Sequence, residues 1–493
     1  MRNRILFINP PLSADKRLSF LNQQFPLGFL YMAGILKKEG FEVKILDCPL
    51  YYNLRRKIDD KTVKIGLFPE QIKKIIQEFK PDIIGVNCSY TMFESDSFEV
   101  IDLIKQVNSK ILVVVGGAHV SSNPEFVLRN RKIDLAVIGE GELTILDIAK
   151  RLKNNKNLND IKGTALILKD KFKINAPREQ IQDLDSLEPD WSLVNFKEYF
   201  AHPDNSNVIM RKPSVNIVTS RGCPGNCIFC SVHTVWGRKW RAISSKKVVD
   251  EIEFLVKNYH VRHFRINDDN LTLDKKRIID ICKEIKKRKL DIKWDTPSGV
   301  AFWTLDKEVL KEMKEAGCYR ITFGIESGCK KTIKYIRKAI DLKRVSELVG
   351  YCHEIGLWVA SFFIIGFPNE TKKDIEETKK YIINSNLNFP FIFIAQPYPG
   401  TDLYEDFKKE GLLDKGFADT STFIQSKYHS KYLSPQELNK IRKDIYIQFY
   451  LRKSLKYLNP FIFYREILSK IKTFEELAYT FKIIKSLITN FAY

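Results

Sequence analysis

The chain has 493 residues, 44% of them hydrophobic, which is enough for two or three domains with cores of their own. Nine cysteines, an odd number thinly spread, exclude a disulfide scaffold, and no apolar run reaches the ~20 residues that cross a bilayer. The net charge of +21 leaves nucleic acid, anionic cofactors and membrane surfaces open as partners, but no repeat or compact nucleic-acid motif is visible, so nucleic acid is not expected.

Residues 1–4 lead directly into the strand-like Ile5-Leu6-Phe7-Ile8, so no targeting peptide is expected and the expected location is cytoplasmic. Further strands are predicted at 43–46, 83–86, 112–115 and 136–138, with helices at 27–38, 69–79, 95–107 and 143–152. Strands alternating with helices predict an α/β domain with a doubly wound, Rossmann-like parallel sheet. Its ligand site should lie outside the carboxyl ends of the strands. The loops at those ends contain Asn9-Pro10-Pro11, Cys88-Ser89-Tyr90-Thr91, Gly116-Gly117-Ala118-His119 and Gly139-Glu140-Gly141-Glu142. Small and hydroxyl residues there let backbone amides approach a large ligand. One such loop is commonplace; several on one edge point to a binding rim.

Residues 155–210 turn polar, with Pro177, Pro189 and Pro203 and the acidic Asp183-Leu184-Asp185, and read as a small hairpin and linker. Between 211 and 410 a second βα series follows, with strands predicted at 215–219, 263–266, 292–295, 320–323, 358–364 and 391–394. These units predict a partial (β/α)6 TIM-type barrel whose active site faces the carboxyl ends of its strands.

Directly after the first barrel strand comes Ser220-Arg221-Gly222-Cys223-Pro224-Gly225-Asn226-Cys227-Ile228-Phe229-Cys230. Three thiolates at this spacing can hold three corners of an iron–sulfur cube and leave the fourth iron open to a small molecule. Zinc is the rival, because His233 could complete a Cys3His site. Structural zinc sites usually join two distant ligand pairs, whereas all candidates here fall within eleven residues. The spacing favours the cluster and leaves zinc open. Cys282, Cys318, Cys329 and Cys352 read as packing residues.

The final stretch, 411–493, is helical, aromatic and basic, with eleven Lys/Arg against five Asp/Glu from Ser434 onward. It is expected to pack on the barrel, with a lipid surface or a greasy substrate as the alternative partner.

Together these motifs resemble those of radical S-adenosylmethionine (SAM) enzymes that carry an N-terminal cobalamin (vitamin B12)-binding domain, over roughly residues 1–410. Cys223, Cys227 and Cys230 match the family's cluster ligands, and Phe229 its aromatic residue before the third cysteine. Ile266-Asn267-Asp268-Asp269-Asn270 matches the acidic end of the second strand, and Phe323-Gly324-Ile325-Glu326-Ser327-Gly328 the segment that meets the sugar and methionine of SAM. Ile365-Gly366-Phe367-Pro368-Asn369-Glu370-Thr371 and Gln396-Pro397-Tyr398-Pro399-Gly400-Thr401 match the segments after the fifth and sixth strands.

The resemblance implies a 4Fe-4S cluster, SAM and cobalamin as cofactors. It implies SAM contacts from Phe229, Asp268, Glu326, Ser327 and Gly366, and corrin contacts from Asn9, Ser89, Tyr90, Gly116, Gly117, His119, Gly139 and Gly141. Residues 1–154 would be the cobalamin-binding-like domain, 155–210 the linker and hairpin, 211–410 the barrel and 411–493 the basic helical region. The cobalt-ligating pattern Asp-x-His-x-x-Gly is absent, so a corrin without a protein histidine on cobalt is implied, and His119 is not expected as a ligand.

The implied reaction cleaves SAM reductively to a 5′-deoxyadenosyl radical and methylates an unactivated carbon of a substrate, hydrophobic if the basic aromatic tail meets it. A donor such as flavodoxin or ferredoxin would supply the electron. Alternatives that stay open are a cyclase or rearrangement enzyme, a methylthiotransferase-like enzyme without functional cobalamin, and a zinc-stabilised protein that senses a corrinoid. The methylthiotransferase reading lacks a second cysteine set, since the N-terminal domain holds only Cys48 and Cys88.

Overall fold

Ile5, Leu6, Phe7 and Ile8 are all buried, so strand β1 (Arg4–Asn9) is covered on both faces, as its unbroken apolar run demands. This computed structural model describes residues 3–16, 24–130, 132–202, 209–413 and 427–490. Pro203 of the expected linker and residues 414–426 of the expected C-terminal region lie outside the described residues. Strands β2 (Glu42–Asp47), β3 (Ile83–Asn87), β4 (Leu112–Gly116) and β5 (Leu135–Val137) join β1 in the parallel order β2-β1-β3-β4-β5. That is a doubly wound sheet with its switch point between β1 and β3.

Helices Leu27–Lys38 and Glu142–Lys153 cover one face of the sheet, and Pro69–Phe79 and Glu94–Val107 the other. The hairpin β6 (Thr164–Leu168) and β7 (Lys171–Ile174) runs antiparallel along the β5 edge. It extends the first sheet, whereas the sequence assigned it to the linker. Its mixed burial gave no clue to which sheet it would join.

The second sheet holds β8 (Ser214–Ile217), β9 (His263–Ile266), β10 (Lys293–Asp295), β11 (Cys318–Glu326), β12 (Trp358–Ile365) and β13 (Phe389–Ile394), all parallel and in chain order. This is the partial barrel. On β12, Val359, Phe363 and Ile365 are buried in the large core, while the alternate positions Phe362 and Ile364 stay partly exposed on the other face. Trp191 and Phe196 of the linker pack with Phe25, Leu30 and Tyr31 into that same core, so the first helix and the linker tie the first domain to the barrel, while the first sheet keeps apolar clusters of its own on its two faces.

Three C-terminal helices follow, Pro435–Lys456, Pro460–Glu466 and Phe474–Asn490. Leu438, Ile445 and Phe449 seat the first on the barrel, and the Tyr446 hydroxyl accepts the Ile392 N–H at 2.9 Å on the β13 edge. Tyr479, fully buried, closes the amino end of the barrel against Tyr319 and Trp358, with ring centroids 5.2 and 5.8 Å away. Among the described residues no helix is long and apolar enough to cross a membrane.

Candidate active site

The chain leaving β8 is pinned before it reaches the first cysteine. Asp268, buried at the end of β9, accepts from the Thr219 N–H, the Thr219 hydroxyl and the Ser220 hydroxyl, each at 2.6 Å. Asp269 beside it accepts the Gly222 N–H at 3.3 Å, and burial lifts its carboxyl to about 6. Asp268, expected to contact SAM, holds the root of the cysteine loop with its side chain. The acidic pair was legible in the sequence, but which acid turned inward was not.

Cys223, Cys227 and Cys230 carry free thiols and are all partly exposed, while the other six cysteines are buried. Burial pushes the Cys230 thiol up to about 11 and raises that of Cys227, which Lys338 opposes. A Cβ on Gly225 would lie 3.4 Å from Cys223 Sγ and 3.9 Å from Cys227 Sγ, so the loop wraps its bare glycine against two sulfurs. Asn270 Nδ2 lies 3.9 Å from Cys223 Sγ, and its Oδ1 is buried without a partner. Among the described residues no three His, Cys, Asp or Glu side chains converge on one ion. Three thiolates within one loop can take separate corners of a cube and leave its fourth iron open. The donor set fits the cluster.

Opposite the cysteines, β11 ends in a register shift between Gly324 and Glu326, and Glu326 takes φ +68°, a conformation that non-glycine residues rarely adopt. The bulge turns the carboxylate onto Lys338 Nζ, 2.6 Å away, with the two side chains only 7% and 11% exposed. A Cβ on Gly324 would lie 2.6 Å from that Nζ, so a larger residue there would displace the lysine. Burial alone would lower Lys338, but Glu326 and the neighbouring Cys227 and Cys230 hold its ammonium above the usual range. Lys338 went unnoticed in the sequence because it belongs to none of the motifs.

Ser327 is fully buried and turned under the rim, 2.8 Å from the Thr378 hydroxyl, and accepts the Cys329 N–H at 3.1 Å. Gly366, with φ +85°, donates its N–H to Glu370 Oε2 at 2.6 Å. Phe229 packs in a small apolar cluster with Phe367, ring centroids 6.5 Å apart. The side chains of Ser327 and Phe229 and the amide of Gly366, expected to meet SAM, each make contacts within the fold.

At the first sheet, a polar chain crosses the strand ends around the switch point. Ser89 donates to Asn87 Oδ1 at 2.5 Å, Asn87 to Asn9 Oδ1 at 3.0 Å, and Asn9 to Asp47 Oδ1 at 2.7 Å. Tyr199 of the linker caps the far end by donating to Asp47 Oδ2. Tyr90 stands 57% exposed above this chain. Gly117 has φ +126°, and a Cβ there would lie 2.8 Å from the Cys88 carbonyl oxygen, while Gly116 beside it is roomier. The His119 ring is buried, with Nδ1 3.0 Å from the Thr91 hydroxyl and Nε2 facing the Glu94 carboxylate, 2.7 Å from its Oε2. An open polar rim with an exposed tyrosine fits a corrin.

The two rims meet. A Cβ on Gly139 would lie 3.5 Å from the Val235 carbonyl oxygen, on the short helix Val232–Trp236 that follows the cysteines. Gly141 packs toward Met32 Sδ instead, 3.0 Å from where its Cβ would be. The glutamates between and after these glycines cross to the barrel. Glu140 lies 2.7 Å from Arg241 and 3.5 Å from Arg221, and Glu142 lies 2.6 Å from Arg221, with all four side chains buried. The Arg221 guanidinium also covers the Trp236 ring at 4.8 Å.

Comparison with known proteins agrees with this geometry. The family model of the radical SAM superfamily matches residues 217–382, and that of the B12 binding domain matches residues 17–149. The chain is 34% identical to an uncharacterized methyltransferase of Pyrococcus horikoshii, over 91% of this chain and 93% of that one. It is 30% identical to the cytidylyl-2-hydroxyethylphosphonate methyltransferase of Streptomyces wedmorensis, over 83% of each chain. The fold is that of the radical SAM methyltransferase TsrM of Kitasatospora setae, with a TM-score of 0.71 over all of both chains at 16% identity. With the cysteine loop at the barrel mouth and a B12-type sheet docked against it, the chain belongs to the radical SAM superfamily, among the members that carry a B12-binding domain.

Proposed function

We propose that the protein is a cobalamin-dependent radical SAM methyltransferase that acts on an unactivated carbon of a hydrophobic substrate. The observation that carries this reading is the meeting of the two rims, where the Gly139–Glu142 loop packs against the cysteine loop through Arg221 and Arg241. When bound, the cluster, SAM and cobalamin supply reductive carbon–sulfur cleavage and a transferable methyl group.

The chain's own residues bind, orient and exclude water. Cys223, Cys227 and Cys230 would hold three irons of the cluster and leave the fourth open to SAM. Glu326 accepts hydrogen bonds from SAM hydroxyl or ammonium groups, and Lys338 beside it suits a carboxylate. Asp268, Asp269, Phe229, Ser327 and Gly366 position these groups from behind. Around the switch point Asn9, Ser89, Tyr90, Gly116 and Gly117 face the corrin side. Phe362, Phe391 and Phe393 line the carboxyl half of the barrel, with Phe362 centroids 5.9 Å from each of the other two, and Phe391 is 39% exposed. Aromatic rings left partly exposed inside a barrel suit an apolar substrate.

Residues 1–154 serve as the corrin domain and 211–410 as the barrel in this reading. The electron donor is a small acidic protein of the flavodoxin or ferredoxin kind, matched to the +21 charge of the chain. Nine free thiols suit the cytoplasm.

Anaerobic turnover with a reductant tests the reading. It should yield both 5′-deoxyadenosine and S-adenosylhomocysteine from protein that contains iron, sulfide and cobalt. If only 5′-deoxyadenosine forms, the reaction is not methyl transfer; stoichiometric zinc without sulfide would remove the radical reading altogether.

A further inference from the structure

The C-terminal helices present apolar side chains away from the molecule. On Pro435–Lys456 and just past its end, Leu451, Leu455 and Leu458 are 59%, 67% and 78% exposed. Their spacing of four and three residues makes one stripe. On Pro460–Glu466, Phe461 and Tyr464 are 83% and 63% exposed. Phe474 and Phe481, two turns apart on the last helix, are 83% and 63% exposed. Exposed apolar residues normally occur singly; a series over three successive helices marks an interaction surface.

The charges of the same stretch sort by sign. Glu466 is buried and lies 3.0 Å from Lys456. Glu475 is turned onto Arg211 and Arg262, at 2.5 and 3.4 Å. Glu476 is buried and accepts the Lys472 and Thr473 N–H groups at 2.8 and 3.1 Å. Arg452, Arg465, Lys472 and Lys482 stay exposed. Among the described residues from 451 to 483, every exposed charge is positive. The fold takes the acids inward and leaves the exposed cations in the same stretch of chain as the exposed leucines and aromatics.

We propose that this face docks the protein on an anionic lipid bilayer. The leucine and aromatic side chains enter the boundary between headgroups and acyl chains, and the four cations meet the lipid phosphates. A second copy of the chain fits poorly, because a symmetric contact through this face sets cations against cations. The protein rests on the surface and does not span it.

Flotation of the full-length protein with vesicles tests the proposal without any turnover, so its outcome is separate from that of the proposed reaction. Binding to phosphatidylcholine vesicles that contain phosphatidylglycerol is expected. It should fall about tenfold or more on pure phosphatidylcholine or in high salt. The triple variant Leu455→Asn, Phe461→Ser, Phe474→Ser alters only exposed positions and should melt like the parent, yet bind the mixed vesicles about tenfold or more weakly. The proposal is overturned if the parent does not float with the mixed vesicles, or if the variant floats equally well. A dimer that the variant abolishes, with no vesicle binding by the parent, would assign the face to a second copy.

Discussion

Glu326 holds a left-handed backbone conformation and a buried cation at the same time, and both are expensive outside a site that uses them. Replacement by Gln keeps the shape of the side chain and removes the charge that an ammonium or a sugar hydroxyl would meet. The Glu326→Gln protein should keep its iron and bind SAM at least tenfold more weakly by equilibrium dialysis, since a hydrogen bond to a charged group contributes about 1.5–3 kcal/mol. Lys338→Met does the opposite damage. It leaves Glu326 buried and unpaired, and should lower stability by about 3–5 kcal/mol in denaturant melts. Unchanged SAM affinity in the first variant would put Glu326 outside the SAM site. At this scale the sequence was legible where chemistry is local, as in the cysteine spacing. It was opaque where a partner arrives by folding back, as Lys338 does at Glu326 and as Glu94 and Thr91 do around His119.

The turn that leaves β12 is closed by one acid. Glu370 accepts from the Gly366 N–H, the Phe367 N–H and the Thr332 hydroxyl, at 2.6, 3.3 and 3.0 Å, while 3% exposed. Burial outweighs these donors and lifts its carboxyl to about 7, against roughly 4.3 in an unfolded chain. The folded protein therefore binds the extra proton between these values. The stability contributed by that proton is fully present below about pH 4 and is lost as pH rises through about 7. Glu370→Gln cannot titrate, so its denaturation free energy should fall less than the parent's between acid and neutral pH, by roughly 3 kcal/mol or less. Parallel curves for the two proteins would mean that the acid stays ionised in the turn. Elements of this size were well marked in the sequence wherever apolar runs were unbroken, as in β1 and β12. The bulge at Gly324–Glu326 and the sheet joined by the hairpin β6–β7 depend on contacts between strands, which periodicity does not record.

Across the whole molecule, four buried charges decide how the two sheets face each other. Glu140 and Glu142 follow the last parallel strand of the first sheet, and Arg221 and Arg241 come from the hairpin that carries the cysteines, so the ion pairs join residues about eighty to one hundred positions apart. The order of domains was legible from their separate motifs; their docking was not, because no local pattern links a glycine-rich loop to an arginine before a cysteine. Burial alone would depress the Arg221 guanidinium, yet the two glutamates keep it firmly charged. Glu142→Gln leaves that charge with Glu140 at 3.5 Å as its remaining acidic partner, and breaking a buried pair from one side costs about 3–5 kcal/mol. The cost falls on docking, because the cysteine loop stays rooted on Asp268. Iron content and 5′-deoxyadenosine formation should survive in this variant, while S-adenosylhomocysteine per 5′-deoxyadenosine falls roughly tenfold, which a shift of about 1 Å between reacting groups is enough to produce. Adding Arg221→Met removes the stranded charge and lays an apolar chain over Trp236, so part of the ratio should return. If both products fall together in Glu142→Gln and the second substitution restores neither, the network supports the cluster loop itself and not the approach of one rim to the other.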